Sequence, residues 1–128
     1  MQYNTKAGNG KFSGRVTSTT VQSFPGQIGN NVTGASLGGL AETSSGYVVA
    51  YNYNGTGSSS PDECLVYLAY VPKRGGSATV HALSSSWGTT PHLVPTGLNG
   101  GYILWNEKSD SFANDTLYYA SYDSGGNV

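Results

Sequence analysis

Apolar positions come in short runs that alternate with clusters of Gly, Ser, Asn, Asp and Pro. No window carries apolar residues at i, i+3, i+4 and i+7, the spacing of a helix face. The clearest runs are 47–51, 64–71, 78–83, 102–105 and 116–122, rich in Tyr, Val, Leu and Thr; weaker ones are 16–24, 35–41 and 92–96. Between them stand Ser44-Ser45-Gly46, the stretch 55–61, Gly75-Gly76, Asn99-Gly100-Gly101, 109–114 and Gly125-Gly126. Short β-rich runs bounded by turn residues predict strands, so the chain is expected to be all-β.

The runs recur in order. Leu37-Gly38-Gly39-Leu40 through Gly46-Tyr47-Val48-Val49-Ala50-Tyr51-Asn52 reads like Leu93-Val94-Pro95-Thr96 through Gly101-Tyr102-Ile103-Leu104-Trp105-Asn106. A polar loop follows each, then Leu65-Val66-Tyr67-Leu68-Ala69 matches Thr116-Leu117-Tyr118-Tyr119-Ala120, and a Gly-Gly pair follows both. A period of roughly 50 residues lies in the range of propeller blades. The first copy has four predicted strands (35–41, 47–53, 64–71, 77–83) and the second three (92–96, 102–106, 116–123). The run 16–24 stands where a fourth strand of a preceding copy would stand. The expectation is therefore about two four-stranded antiparallel blades over 15–128, permuted so that the N-terminal strand completes a neighbouring blade. Residues 1–14 form an N-terminal segment with at most a partial strand.

The stretch Ser121-Tyr122-Asp123-Ser124-Gly125-Gly126-Asn127-Val128 resembles the Asp-box (Ser/Thr-x-Asp-x-Gly-x-Thr-Trp/Phe) of sialidase-type β-propeller repeats. Ser121, Asp123 and Gly125 match, whereas Asn127 and Val128 replace the Thr and the aromatic; the other copy, 69–76, lacks the Asp. The resemblance implies a structural turn between the third and fourth strands, with Asp123 accepting backbone N–H bonds and the glycine supplying positive φ. More broadly, 15–128 is similar to propeller repeats of bacterial surface proteins, which implies an extracellular or cell-surface parent.

Two blades cannot close a ring, since propellers use about 4 to 8. Either copies assemble head to tail, with three ahead of four, or the chain is a piece of a larger propeller. The partner expected first is thus the chain itself.

Composition narrows the chemistry. Of 128 residues, 10% are charged against a usual share of about 25%, and the net charge is −1. Six Lys and Arg make no basic stripe, so no nucleic-acid partner is expected. The longest apolar run, 65–71, is too short to span a membrane as a helix, so no membrane partner is expected either. Met1 to Lys6 is polar, with no signal-peptide core. Cys64, the single cysteine, opens an apolar run and reads as a small buried hydrophobe.

An enzyme is not expected. A sialidase-type site would need three arginines, and the chain has Arg15 and Arg74. A glycosidase-like fragment would need two carboxylates about 5–9.5 Å apart, while the seven acidic residues read as solvated loop groups. One Cys and two His make no zinc cluster, and no EF-hand spacing closes around Asp110, so neither metal nor cofactor is expected.

Ser, Gly, Asn and aromatics with little charge instead suit a neutral polar ligand such as a glycan, stacked on an aromatic ring, or a protein surface. Trp87, between blades in Ser84-Ser85-Ser86-Trp87-Gly88, is the first candidate, equally readable as a wedge between sheets. Tyr51, Tyr53 and Tyr122 at strand ends and His92 at a strand start follow. Trp105 and His81 read as structural. The alternative is a purely structural or assembly module without a ligand of its own.

Overall fold

A computed structural model describes residues 18–23, 34–54, 64–84, 87–108 and 114–128. Among them the chain is all-β, in two antiparallel sheets. The first has the order β1 (Gly34–Glu42), β2 (Gly46–Asn54), β3 (Cys64–Pro72), β4 (Thr79–Ala82). The second has β5 (Gly88–Gly97), β6 (Gly100–Glu107) and β7 (Thr116–Asp123). Each sheet is a meander, because short Gly-bearing or polar connections return the chain beside the strand it has left. The seven strands predicted between 35 and 123 are present, with β5 starting four residues earlier than expected, but the N-terminal strand expected over 16–24 is not formed at 18–23. The rest of the 16–24 run lies outside the described residues, as do 1–14 and the burial expected of Cys64.

Period-two alternation gives each sheet two distinct faces. The inner face of the first sheet carries Ala41, Val48, Ala50, Val66 and Leu68, all buried, with half-buried Tyr70 beside them. The inner face of the second carries Leu93, Ile103, Trp105 and Tyr122, with Ala120. These side chains form one core between the stacked sheets. Val48, Val66, Leu68 and Ile103 are wholly out of solvent; each such side chain contributes roughly 1.5–3 kcal/mol by leaving water.

β5 sets how the sheets meet. Gly88 lies against Val66 and Ser84 on the β3 side, whereas Gly38 and Gly39 of β1 meet Pro91 and Leu93. Between these points Thr90 and Pro91 form a bulge opposite β6, and Thr90 takes φ 55°, a left-handed conformation rare for a β-branched residue. The bulge lets one strand cross the first sheet and then follow β1. Where it does so, the backbones are so close that a Cβ on Gly38 would lie 2.4 Å from the Pro91 carbonyl oxygen.

The far ends of the sheets are tied by hydrogen bonds. The Ser124 carbonyl accepts from the Thr43 hydroxyl (2.7 Å) and the Ser45 hydroxyl (2.6 Å). The Ser44 amide donates to the Leu98 carbonyl at 2.8 Å. Gly126, at φ 74°, packs on Tyr70 so tightly that a Cβ would come within 2.4 Å of the Tyr70 Cβ. Glu42 and Lys73 pair at 2.6 Å on the surface.

The two sheets are alike in one particular register. Tyr51 and Tyr67, cross-strand partners in β2 and β3, stack with centroids 5.4 Å apart and planes at 17°. Trp105 and Tyr118, partners in β6 and β7, stack at 5.8 Å and 17°. Laying one ring pair on the other also lays Leu40 on Leu93, Val49 on Ile103, Ala69 on Ala120 and Asn52 on Asn106, each with its ladder partners. The Gly-Tyr match of the sequence, Gly46-Tyr47 on Gly101-Tyr102, lays buried Val48 and Ala50 on buried Ile103 and Trp105, whereas the ring-pair register differs from it by one residue, which in a strand reverses every side chain. Leu40, not Leu37, falls on Leu93. In the ring-pair register, the face the second sheet turns inward corresponds to the face the first turns outward.

Candidate functional site

The turn after β7 is built around the Asp123 carboxylate. Asp123 ends β7, and its Oδ1 accepts from the Gly125 amide (2.9 Å) and the Asn127 amide (3.0 Å). The Asn127 side-chain amide adds bonds to both carboxylate oxygens, at 3.0 and 2.8 Å. The Asn127 side chain, then its backbone amide and that of Gly125, hold the Asp123 carboxyl below its usual range. Positive φ falls on Gly126 rather than Gly125. Ser121 lies exposed on the outer face. The carboxylate is thus consumed by its own turn, and the turn in turn presents the Ser124 carbonyl to the first sheet.

The five candidate ligand-binding residues are not brought together. Tyr122 is a core residue, 4% exposed, and burial raises its phenol pKa. His92 is exposed on the outer face of the second sheet, opposite Leu104. Tyr51 and Tyr53 lie on the outer face of the first sheet but are buried, at 6% and 8% exposure. The Tyr51 hydroxyl donates to Gln22 Oε1 at 2.6 Å, and burial together with Tyr67 pushes its pKa up to about 12. Burial, then Tyr53, raises that of Tyr67.

Trp87 is half-buried in the connection between the sheets. Its carbonyl accepts from the Lys108 amide at 3.0 Å, so the connection is pinned to the end of β6. Its indole Nε1 is buried without a hydrogen-bond partner among the described residues. A buried N–H left unpaired costs about 1–3 kcal/mol, so this donor has free energy to gain from an acceptor. Trp105, expected in the core, is there, and its Nε1 donates to Glu107 Oε2 at 3.1 Å.

Among the described residues no three His, Cys, Asp or Glu side chains cluster as metal ligands would. No described helix is long and apolar enough to cross a membrane. Arg15, Asp62, Glu63 and Asp110 lie outside the described residues.

What pattern reading missed is the outward surface. On the second sheet Val94, Tyr102, Leu117 and Tyr119 are 41%, 44%, 66% and 73% exposed, with Leu104 half-buried among them. On the first, Leu37, Leu40 and Tyr47 are 73%, 65% and 41% exposed. Exposed apolar residues are ordinary singly; here several share one sheet face. The signal was in the sequence: both 47–51 and 102–105 are apolar at consecutive positions, as strands buried on both faces are. No family model, curated protein or solved structure matches the chain.

Proposed function

We propose that this chain is a non-enzymatic β-propeller module of about two blades. It assembles head to tail with copies of itself into a ring and binds a neutral polar, glycan-like ligand or a protein surface through the loops between blades. The observation that carries the reading is the register of the two stacked ring pairs, Tyr51–Tyr67 and Trp105–Tyr118. In that register equivalent faces point the same way round, as successive blades of a propeller do. Two sheets of a closed sandwich would instead turn equivalent faces toward each other.

Two further observations support it. β7 has no strand on its free edge among the described residues, whereas β3, its counterpart, is covered by β4. An N-terminal segment from a neighbouring copy would complete that blade. The half-buried Trp87 ring stands in the inter-sheet connection, where its exposed part offers a surface on which a sugar face stacks.

Multi-angle light scattering tests the assembly: a mass of three or four times 13.3 kDa is expected, and a monomer across micromolar concentrations overturns it. A glycan array read with the wild-type chain and Trp87→Ala tests recognition. Binding that Trp87→Ala abolishes supports the ligand reading, and no binding to any glycan leaves the assembly module alone.

A further inference from the structure

The two apolar outer faces differ, and the ring-pair register says what each resembles. Under it, Tyr102 and Leu104 of the second sheet fall on Val48 and Ala50 of the first, and Leu117 and Tyr119 fall on Val66 and Leu68. Those four residues of the first sheet are wholly buried against the second sheet. Their counterparts are the most apolar part of the second sheet's exposed face, with Leu117 66% and Tyr119 73% exposed.

The converse holds for the first sheet. Leu40 falls on Leu93, which is 8% exposed in the core, whereas Leu40 is 65% exposed; Val49, half-buried, falls on fully buried Ile103. The exposed part of each outer face is therefore the counterpart of part of the interface already formed inside the chain, while Tyr51, Tyr53 and Ala69 on the first sheet's outer face are already buried within the single chain.

The geometry points to a second copy of this chain as the occupant: the outer face of the second sheet (Val94, Tyr102, Leu104, Leu117, Tyr119) docks on the outer face of the first sheet (Leu37, Leu40, Tyr47, Val49) of the next copy. This rests on the assembly reading above and specifies its contact. The association is heterologous, one kind of face meeting the other, so each copy has one donor face and one acceptor face. Charge does not oppose it. The second sheet's outer face, with His92, Val94, Tyr102, Asn106 and Ser121 across its strands, carries no acidic or lysine side chain before Asp123 at its end. On the first sheet Glu42 is paired with Lys73, whose ammonium also lies 5.7 Å over the Tyr47 ring.

Because the faces differ, complementation tests the inference. Leu117→Lys with Tyr119→Lys spoils one face, and Leu37→Lys with Leu40→Lys spoils the other. All four side chains are at least 65% exposed, so the fold of the single chain does not depend on them; serine replaces lysine at the same positions if circular dichroism shows unfolding. Each double variant alone is expected to scatter as a 13.3 kDa monomer, and an equimolar mixture as a species of twice that mass, joined through the two intact faces. A Leu37/Leu40 variant that still dimerises alone, or a mixture that stays monomeric, overturns the pairing of faces. Variants that keep the wild-type oligomeric mass overturn this contact and leave self-assembly standing. A monomeric wild-type chain overturns both.

Discussion

Leu68→Ala and Tyr119→Thr probe the same position in the two sheets and should differ widely in the dilute, single chain. Leu68 is wholly buried between the sheets, among Val48, Ala50 and Val66. Truncation removes three carbons, about 2.4 kcal/mol at roughly 0.8 kcal/mol each. The cavity left behind raises the cost to about 3–4 kcal/mol, within the usual range for buried Leu→Ala changes. At roughly 3–6 °C per kcal/mol for a chain of this size, the midpoint should fall by about 10–20 °C. Tyr119 is 73% exposed, and threonine keeps strand propensity, so its replacement should stay within about 0.5 kcal/mol. Urea unfolding followed by the fluorescence of Trp105, which sits in the same core, reads both. A loss below about 1 kcal/mol for Leu68→Ala would refute an inter-sheet core at that position. So would equal losses for the two variants at a concentration where the chain is monomeric.

Gly126→Ala should destabilise by about 1–3 kcal/mol, since φ 74° and a Cβ within 2.4 Å of Tyr70 both oppose it, while Gly75→Ala, with open space around it, should cost only its φ strain; thermal melts of the pair check this. The Asp123 carboxyl has a folded pKa below its unfolded 3.8, so its stabilisation is present above about pH 5 and is lost as pH falls through 3.8 toward the folded value. The gap in melting temperature between wild type and Asp123→Ala should therefore close in acid, and a constant gap would show that the carboxylate's charge is immaterial. Tyr51 has a folded pKa of about 12 against 10 unfolded, so its contribution is full below pH 10 and lost as pH rises toward 12. Alkaline unfolding should be shallower in Tyr51→Phe, and ultraviolet titration of the wild type should show one phenol ionising late.

Strand existence was legible in the sequence because it depends on local chemistry. β-branched and aromatic runs between Gly-rich turns mark β2, β3, β6 and β7 without reference to anything distant. Asp123 was legible for the same reason, as its partners Gly125 and Asn127 lie within four residues. The facing of the sheets was not, because a one-residue slip is invisible when both faces of 47–51 and 102–105 are apolar. It shows only in which side chains are buried between the sheets, Val48 and Ala50 from one and Ile103 and Trp105 from the other. Nor was the burial of Tyr51, Tyr53 and Tyr122 legible, since a tyrosine at a strand end carries the same letter whether its ring faces a neighbour sheet or water. The early start of β5 escaped because Thr89, Thr90 and Pro91 look like a loop, and the bulge that accommodates them exists only against β6.

The close approach of Gly38 to Pro91 has a bearing on how this chain can change over time. Where two backbones meet with no room for even a methyl group, nothing larger than hydrogen can be accommodated without prising the sheets apart. The outward surfaces have no such restriction in the lone chain. Random mutagenesis scored by folding alone should thus leave position 38 monotonous while the outward leucines and tyrosines vary freely, and a screen that instead protects those outward residues would be registering a neighbour.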